Sequence, residues 1–501
     1  MTPVFGRAVQ CGLFVSLLAL PLAAQVPEFQ VRLGGNIVKL PLERYVAAVL
    51  AGEASVFQSD EALKAMAVAA RTYAVRLRGR HAAEGFDFCS TTHCQRIDLP
   101  GVTPRLQAAA AATAGQLLWW EGKPAFACYT RDCGGRSEDA GAVWPGEGAS
   151  YLGSHDDPYC LRAARSPGST WQWNADPRAV SDALGKALLR APRRLERIEI
   201  ESRTASGRAR TLVLAGGAER VRVAAGSFRL AMGRELEWNT VRSDLYRVRT
   251  AGGRLVFDGR GSGHGVGLCQ SGAQQMGIEG RTWREILAFY YPGTDPGLTA
   301  RGIPWREILG ETVSLWTTRP AADGPLLAMA ERLLRAAAER TRLVVPGKVE
   351  IRLYPDLDTF RNATGEPGWI AARTQGARVQ MQPPEVLRSR GVLEDTLRHE
   401  LLHVVVEAHA APGLPLWFRE GLVEYLDRPS AASGGAPPPA DAELQQTADA
   451  GRARRAYRDS AAMVASLARR YGETTLFDWL RNGLPPAVKN ASSSQAPTKS
   501  K

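Results

Sequence analysis

The chain lacks the features that would direct it into a membrane or onto nucleic acid. Beyond residue 24, no apolar run approaches the roughly 18 residues that a membrane-spanning helix needs. The net charge is +12, but the arginines are dispersed, and no long basic block or recognition motif accompanies them. We therefore expect no transmembrane span in the mature protein and no nucleic-acid partner.

Cysteine is sparse, with 7 residues in 501, and the first of them lies in a segment typical of export. Arg7 supplies a weak positive region, residues 11–20 form an apolar run, and Leu22-Ala23-Ala24 is a plausible cleavage site before Gln25. Residues 1–24 are thus predicted to be a signal peptide, with a retained anchor as the alternative. The expected location is extracytoplasmic, where positive charge favours an anionic cell wall or membrane surface.

The length of 501 residues predicts at least two domains. We expect an α+β protein without internal repeats, in which a first domain with β-hairpins precedes a mainly helical second domain. Hairpins are expected at residues 29–40 and 115–129, and strands at 195–201, 209–215 and 219–223. The expected segments are a first domain at 27–300, a linker at 301–312, a second domain at 313–485 and a disordered polar tail at 486–501.

Residues 42–52 carry apolar side chains at helical spacing, which predicts an amphipathic helix with a buried stripe. Glu53 continues that stripe. If the helix includes Glu53, burial would raise the pKa of its carboxyl group and suit it to general-acid catalysis at neutral pH. If the helix ends at Gly52, Glu53 is instead an ordinary solvated turn residue.

A second helix is predicted from Ser59, which can cap it, and a cluster of metal-ligating residue types follows that helix. The cluster contains two imidazoles and two thiols within fourteen residues: His81, Cys89, His93 and Cys94. This is the ligand set of a closed structural zinc site, although the spacing differs from that of common zinc fingers. A disulfide between the two cysteines is the alternative.

This region contains the stretches P-L-E-R-Y-V-A-A-V-L-A-G-E at 41–53 and E-A-L-K-A-M-A-V-A-A-R-T-Y-A at 61–74. Both resemble the stage II sporulation protein D domain, which amidase enhancers share. A third, G-H-G-V-G followed by Q-x-G-A at 263–273, is similar to a glycine-rich signature of the family, and the resemblance covers roughly residues 29–295. It implies a peptidoglycan lytic transglycosylase in which Glu53 is the catalytic acid and base.

The resemblance also implies roles for other residues. Some family members bind zinc through a cluster similar to His81, Cys89, His93 and Cys94, which favours a structural zinc ion here. His264 and Gln270 could hydrogen-bond a sugar or orient Glu53, although a purely structural histidine remains the alternative.

The chain departs from the family pattern at cysteine-containing positions. Residues 131–133 replace part of a loop that is usually richer in small hydroxyl residues, and Cys269 replaces a small hydroxyl residue. In an oxidising compartment, Cys133 and Cys160 could form a disulfide, with Cys128 and Cys269 as a second pair. Sequence alone does not choose among the three pairings of these four cysteines.

The second domain contains an H-E-x-x-H motif. His399 and His403 are four residues apart, so they share one helical face and can bind one zinc ion, while Glu400 is placed to activate the attacking water. Residues 414–426 are predicted to form the next helix, which carries Glu420-Gly421. This helix resembles that of gluzincin metallopeptidases, whose E-G motif supplies the third ligand. This resemblance assigns Glu420 as the third ligand, with Glu424 as a fallback ligand or an outer carboxylate.

Together these patterns predict a secreted cell-wall protein with two activities. The first domain would cleave glycan strands between N-acetylmuramic acid and N-acetylglucosamine to 1,6-anhydro products. The second would be a zinc-dependent peptidase acting on a peptide or protein. A simple hydrolase is one alternative; the other is a non-catalytic amidase enhancer that binds peptidoglycan and a cell-wall amidase, with an inactive or accessory second domain.

Overall fold

A computed structural model describes residues 28–163, 169–428, 439–444 and 450–493. The predicted signal peptide and the end of the predicted tail, from residue 494, lie outside these ranges. The chain forms two compact units, one of residues 28–120 and 124–302, the other of residues 303–493 with 121–123. Among the described residues, no helix is long and apolar enough to cross a membrane. The mixture of helices and sheets confirms the predicted α+β class.

The first unit alternates short sheets with helices. In chain order its elements are β1 (Glu28–Leu33), β2 (Asn36–Pro41), α1 (Leu42–Glu53), α2 (Asp60–Arg76), β3 (Phe88–Cys89), α3 (Pro104–Ala112), β4 (Leu117–Trp120), β5 (Lys123–Pro124), β6 (Tyr129–Thr130), α4 (Ala140–Val143), α5 (Pro158–Ala163), β7 (Thr170–Ala175), α6 (Pro177–Lys186), β8 (Arg197–Arg203), β9 (Ala209–Gly216), β10 (Glu219–Ala224), α7 (Ala225–Glu235), β11 (Tyr246–Ala251), β12 (Arg254–Arg260), β13 (Leu268–Cys269), α8 (Gln270–Ile278), α9 (Trp283–Tyr290) and β14 (Asp295–Gly297).

The predicted first hairpin is present, and the first two helices follow it. Strands β1 and β2 are antiparallel around a glycine pair, and Gly34 adopts φ +59° in that turn. Tyr45 of α1 packs against the rings of Phe29 and Phe88, with ring centroids 5.1 and 5.5 Å away. Ser59 caps α2 as predicted, since its side chain accepts the backbone N–H of Ala62. The hairpin thereby buries one face of α1.

The other sheets of this unit are small. The three strands predicted between residues 195 and 223 form a sheet in the order β10-β9-β8, and a second three-stranded sheet has the order β11-β12-β7. The predicted hairpin at 115–129 is wrong for its last residue. Tyr129 lies in β6, a separate strand that pairs in parallel with β13. This pairing joins segments far apart in the chain, so local alternation of apolar residues gives no sign of it.

The second unit contains one sheet covered by helices. Its elements are β15 (Arg306–Leu309), β16 (Val313–Thr317), α10 (Pro320–Asp323), α11 (Leu326–Thr341), β17 (Val349–Leu353), α12 (Leu357–Thr364), β18 (Ala372–Gln375), β19 (Arg378–Met381), α13 (Pro384–Ser389), α14 (Leu393–Glu407), α15 (Leu416–Asp427), α16 (Asp441–Leu444), α17 (Ala450–Tyr471), α18 (Glu473–Asn482) and α19 (Pro486–Ser493). The sheet has the order β15-β16-β17-β19-β18, and α14 lies against β18 and β19.

Two segments differ from the predicted boundaries. Strand β15 lies within the predicted linker 301–312, where it forms the antiparallel edge of the sheet beside β16. Helix α19 occupies residues 486–493 of the predicted disordered tail. The short edge strand β15 has no clear alternation of apolar and polar residues, so it was not predicted. The polar composition of the tail favoured disorder, although its helix begins at a proline, a residue suited to the first turn.

Candidate functional site

Glu53 is the last residue of α1, so the helix extends beyond Gly52. The solvated-turn alternative is therefore wrong, and the carboxyl group is only partly exposed. Its Oε1 accepts the backbone N–H of Arg96 across 2.9 Å. A side chain at Gly52 would lie 2.4 Å from the Arg96 carbonyl oxygen, so only glycine allows this close approach.

Burial raises the pKa of Glu53, and the Arg96 hydrogen bond and the charges of Arg96 and Arg131 oppose that rise. The Arg131 guanidinium is held nearby by a 2.8 Å hydrogen bond to Ser55 Oγ. A partly buried carboxyl group with a raised pKa has the electrostatic character of a general acid. It also keeps an exposed edge that a substrate can reach.

A buried glutamine anchors the backbone that contacts Glu53. The amide oxygen of Gln95 accepts the hydroxyl of Tyr45, and its amide nitrogen donates to the Ala70 carbonyl and to Tyr129 Oη. These partners belong to α1, α2 and β6. Gln95 therefore fixes the position of Arg96, the next residue, relative to three elements of the fold.

His264 and Gln270 are not hydrogen-bonded to Glu53 among the described residues. His264 Nδ1 accepts the backbone N–H of Val266 at 3.1 Å, and its ring packs on Trp144 with centroids 4.8 Å apart. Burial, and then the charges of Arg229 and Arg208, lower the pKa of His264 to about 3, so the ring is neutral. Gln270 is buried at the start of α8.

The structure brings together the predicted metal ligands of the first unit. One donor atom from each of His81, Cys89, His93 and Cys94 lies within 4.8 Å of the others. Cys94 Sγ is 3.3 Å from His81 Nε2 and 3.7 Å from His93 Nδ1, and Cys89 Sγ is 3.8 Å from His93 Nδ1. Ligands of one tetrahedral zinc ion are separated by about 3.3–3.8 Å. The donor set and these spacings therefore fit zinc.

Sequence reasoning missed a carboxylate beside this cluster. Glu84 Oε1 lies 2.5 Å from His81 Nδ1, on the opposite side of the ring from Cys94. A carboxylate on the second ring nitrogen orients a metal-binding imidazole and raises its basicity. The spacing His-x-x-Glu across the single turn Ala82–Glu84 was the available signal.

The H-E-x-x-H residues of the second unit are buried on α14, where they meet α15. His403 Nε2 lies 3.2 Å from His399 Nε2 and 3.4 Å from Glu420 Oε2. Burial, and then the His399 charge, lower the pKa of His403, which keeps it in the neutral form that binds metal. Two imidazoles and a carboxylate are a common zinc ligand set. His403 lies close to both of the other two side chains.

Two further residues contact this motif and were not predicted. Asp427 Oδ2 lies 3.6 Å from His399 Nδ1, and the charge of Glu424, the predicted fallback, raises the pKa of the same histidine. Thr374 of β18 donates its hydroxyl to Glu400 Oε2 at 2.6 Å. Asp427 belongs to the same helix as Glu420, so helical spacing could have suggested it. Thr374 lies on a strand, and no local sequence pattern shows that this strand contacts α14.

The described part of the chain contains no disulfide bond. The expected pairings at Cys133, Cys160, Cys128 and Cys269 therefore do not describe this structure. Cys133, Cys160 and Cys269 lie together, whereas Cys128 is not part of their group. A pairwise pattern was expected because cysteine number alone cannot reveal a group of three.

Comparisons with known proteins agree on one family. The profile of the stage II sporulation protein family, SpoIID, matches residues 34–120. An uncharacterized protein of Brachyspira hyodysenteriae is 30% identical over 259 residues, which are 51% of this chain and 67% of that protein. The stage II sporulation protein D of Bacillus amyloliquefaciens is 28% identical over 284 residues, covering 52% of this chain and 75% of the relative. An amidase enhancer of Bacillus subtilis is 26% identical over 288 residues, 49% of this chain and 39% of the relative.

Proposed function

We propose that the chain, which carries a SpoIID domain at residues 34–120 and resembles stage II sporulation proteins D, is an extracytoplasmic protein of peptidoglycan processing. Its first unit binds glycan strands and enhances a cell-wall amidase. The similarity to a protein named as an amidase enhancer supports this function. The surface around Glu53 supports the glycan-binding part, because a partly exposed carboxylate beside the Arg131 guanidinium offers both acceptors and donors to sugar hydroxyls.

A second candidate is lytic cleavage of the glycan, and the environment of Glu53 is the observation that favours it. With its pKa raised by burial, Glu53 holds a proton more readily than an exposed glutamate. It would protonate the glycosidic oxygen as the bond to the anomeric carbon breaks. As carboxylate, it would then accept the proton of the muramyl 6-hydroxyl as that oxygen attacks the anomeric carbon. The product is a 1,6-anhydro sugar, and no water is consumed.

The two candidates differ in what Glu53 contributes. The chain without residues 1–24 and its Glu53→Gln variant are incubated with peptide-free glycan strands, and mass spectrometry detects 1,6-anhydromuramyl ends. Both proteins are also added to a cell-wall amidase acting on intact peptidoglycan. Equal stimulation by both, with no anhydro ends, supports the enhancer. Anhydro ends from the wild type alone support lytic cleavage. If the wild type shows neither stimulation nor anhydro ends, both candidates are ruled out.

For the second unit, we propose zinc-dependent peptide hydrolysis. His399, His403 and Glu420 would hold the metal, which would supply Lewis acidity toward a peptide carbonyl. Glu400 would remove a proton from the attacking water, with Thr374 holding its Oε2 by a hydrogen bond. The support is the burial of the three proposed ligands, the contacts of His403 with His399 and with Glu420, and the approach of Asp427 to His399.

Zinc content and peptide cleavage test this proposal separately. Glu400→Gln should keep its zinc and lose peptide hydrolysis, because the glutamate acts on water and is not a ligand. Normal cleavage by this variant would contradict the assignment. Zinc without any cleavage in the wild type would make the second unit an accessory domain.

For the first unit's cluster, we propose a structural zinc ion held by His81, Cys89, His93 and Cys94. Thr91 and His93 hydrogen-bond to Cys89 and, against the effect of burial, lower the pKa of its thiol to about 6. Zinc there would tie the end of α2 to the segment that carries Arg96. Its role would be to hold Glu53's surroundings in place.

A further inference from the structure

A second group of metal-ligating side chains is buried in the first unit, separate from the histidine-containing cluster. Cys133, Asp157, Cys160 and Cys269 are each buried, at 0% exposure, and one ligand atom from each lies within 4.8 Å of the others. They come from the loop after β6, from the start of α5 and from the end of β13. The fold therefore gathers three thiols and one carboxylate from distant parts of the chain at one point.

Backbone groups hold the donor atoms in place. Cys269 Sγ accepts the N–H of Cys133 at 3.2 Å and that of Gly272 at 3.4 Å. Asp157 Oδ1 accepts the N–H of Cys160 at 2.8 Å. Backbone N–H groups pointing at sulfur and carboxylate favour the ionised forms of these groups, and metal ligands must be ionised.

The carboxylate is aimed at the thiols. Asp157 Oδ2 accepts the Tyr290 hydroxyl at 2.9 Å, and Cys133 Sγ lies 3.3 Å from the same oxygen. A side chain at Gly272 would lie 2.6 Å from that oxygen and 2.1 Å from Tyr290 Oη. Gly272 therefore leaves the space that lets Asp157 sit against the cysteines.

The surroundings suit a cluster with excess negative charge. The buried Arg208 guanidinium donates to the Cys133 carbonyl oxygen at 2.6 Å, and its charge faces the thiols of Cys133 and Cys269. Asp132 Oδ1 lies 3.3 Å from Cys160 Sγ. Asp132 Oδ1 also accepts the backbone N–H of Gly134 at 2.8 Å.

We propose that Cys133, Cys160, Cys269 and Asp157 form a second structural zinc site in the first unit. Three thiolates and one carboxylate oxygen make a four-coordinate set, and thiolate ligands select zinc over magnesium or calcium. Full burial leaves no open position for a substrate, so the ion holds the β6 loop, α5 and α8 together. A disulfide is the competing outcome; it would join two of the thiols and leave the third unpaired in the interior.

Zinc stoichiometry tests the site. The chain without residues 1–24 is purified without chelator, and zinc is counted by inductively coupled plasma mass spectrometry. Cys160→Ser and Asp157→Asn should each lose one equivalent relative to the wild type. Cys128→Ser is the matched control, a buried cysteine outside the group, and should lose none. Unchanged zinc in a folded Cys160→Ser protein would overturn the proposal.

Two further measurements leave the four proposed ligands unaltered. The double variant Cys94→Ser with His403→Ala disrupts the other two proposed sites and should still hold one equivalent; if it holds none, the proposal fails. Wild-type protein is also denatured with chelator, alkylated without reductant and mapped by peptide mass spectrometry. Cys133, Cys160 and Cys269 should all be alkylated, whereas a disulfide joining any two of them would overturn the site.

Discussion

The backbone N–H of Arg96 donates a hydrogen bond to Oε1 of Glu53 across 2.9 Å, which fixes the carboxyl group at the end of α1. The Arg96 carbonyl group passes so close to Gly52 that no side chain fits between them. Glu53, the candidate acid of the first unit, is thus positioned by the backbone of a different segment.

Gly52→Ala should destabilise the first unit by about 1–3 kcal/mol, because the new methyl group would lie 2.4 Å from the Arg96 carbonyl oxygen. Gly185 is the matched control: it lies in helix α6, and a methyl group there would meet nothing within 4 Å. Gly185→Ala should be neutral or stabilise by about 0.5–1 kcal/mol. Calorimetric unfolding compares the two. Equal effects would show that the approach of Arg96 to Gly52 is not tight in solution.

Arg131→Gln should raise the pKa of Glu53 further, since the Arg131 charge is one of the groups that oppose the effect of burial. The sign follows from charge: removing a nearby cation makes the carboxylate less favourable, so the proton is kept to higher pH. If Glu53 is the acid of glycan cleavage, the alkaline limb of the activity profile should move to higher pH.

Carbon-13 NMR of labelled glutamate measures this pKa directly, with Glu53→Gln identifying the resonance. Arg44→Gln removes an exposed charge at the far end of α1 and serves as the control. A Glu53 titration that is the same in Arg131→Gln as in the wild type would contradict the prediction.

Thr374→Val should reduce any peptide hydrolysis by about 10- to 100-fold, because it removes a hydrogen bond to a charged group worth about 1.5–3 kcal/mol. Zinc content should not change, since Thr374 contacts Glu400 and not a proposed ligand. Thr396→Val is the control: it is buried on the same helix as Glu400, and its hydroxyl donates to the Val392 carbonyl of that helix's own backbone. A similar loss of activity in both variants would indicate a general packing effect.

Glu84→Gln should weaken zinc binding at the histidine-containing cluster by about 10- to 100-fold, the usual effect of losing a carboxylate behind a metal-binding histidine. Competition with a chromophoric chelator measures the affinity. Glu28→Gln, an exposed change in β1, should leave it unaltered. Zinc binding by Glu84→Gln as tight as by the wild type would show that the carboxylate does not support His81 as a ligand.

Local sequence patterns were sufficient to predict part of the fold and of the candidate sites. The apolar stripe at residues 42–52 predicted helix α1 but left open whether Glu53 belongs to it, and the four-residue spacing of His399 and His403 predicted a shared helical face. The first hairpin followed from a glycine pair between alternating residues. In each case the residues that interact are close in the chain, so periodicity and turn chemistry carry the information.

Interactions between distant segments were not predicted. The pairing of Tyr129 with Leu268 and the contact of Thr374 with Glu400 depend on how whole elements pack. The group of three buried cysteines was also not predicted, because the sequence suggested that they form disulfide pairs. Their grouping depends on the approach of the β6 loop to α8, and side-chain spacing within one element says nothing about that approach.

Cys94, Gln95 and Arg96 are consecutive, and each makes a contact in a different direction: the thiol in the metal-ligating cluster, the amide between three elements, and the backbone N–H at Glu53. Insertion or deletion of one residue here would move at least one of the three out of reach, since each step along the backbone is about 3.8 Å. The segment from Cys94 to Arg96 is therefore sensitive to any change of length, because both the metal-ligating cluster and the position of Glu53 depend on it.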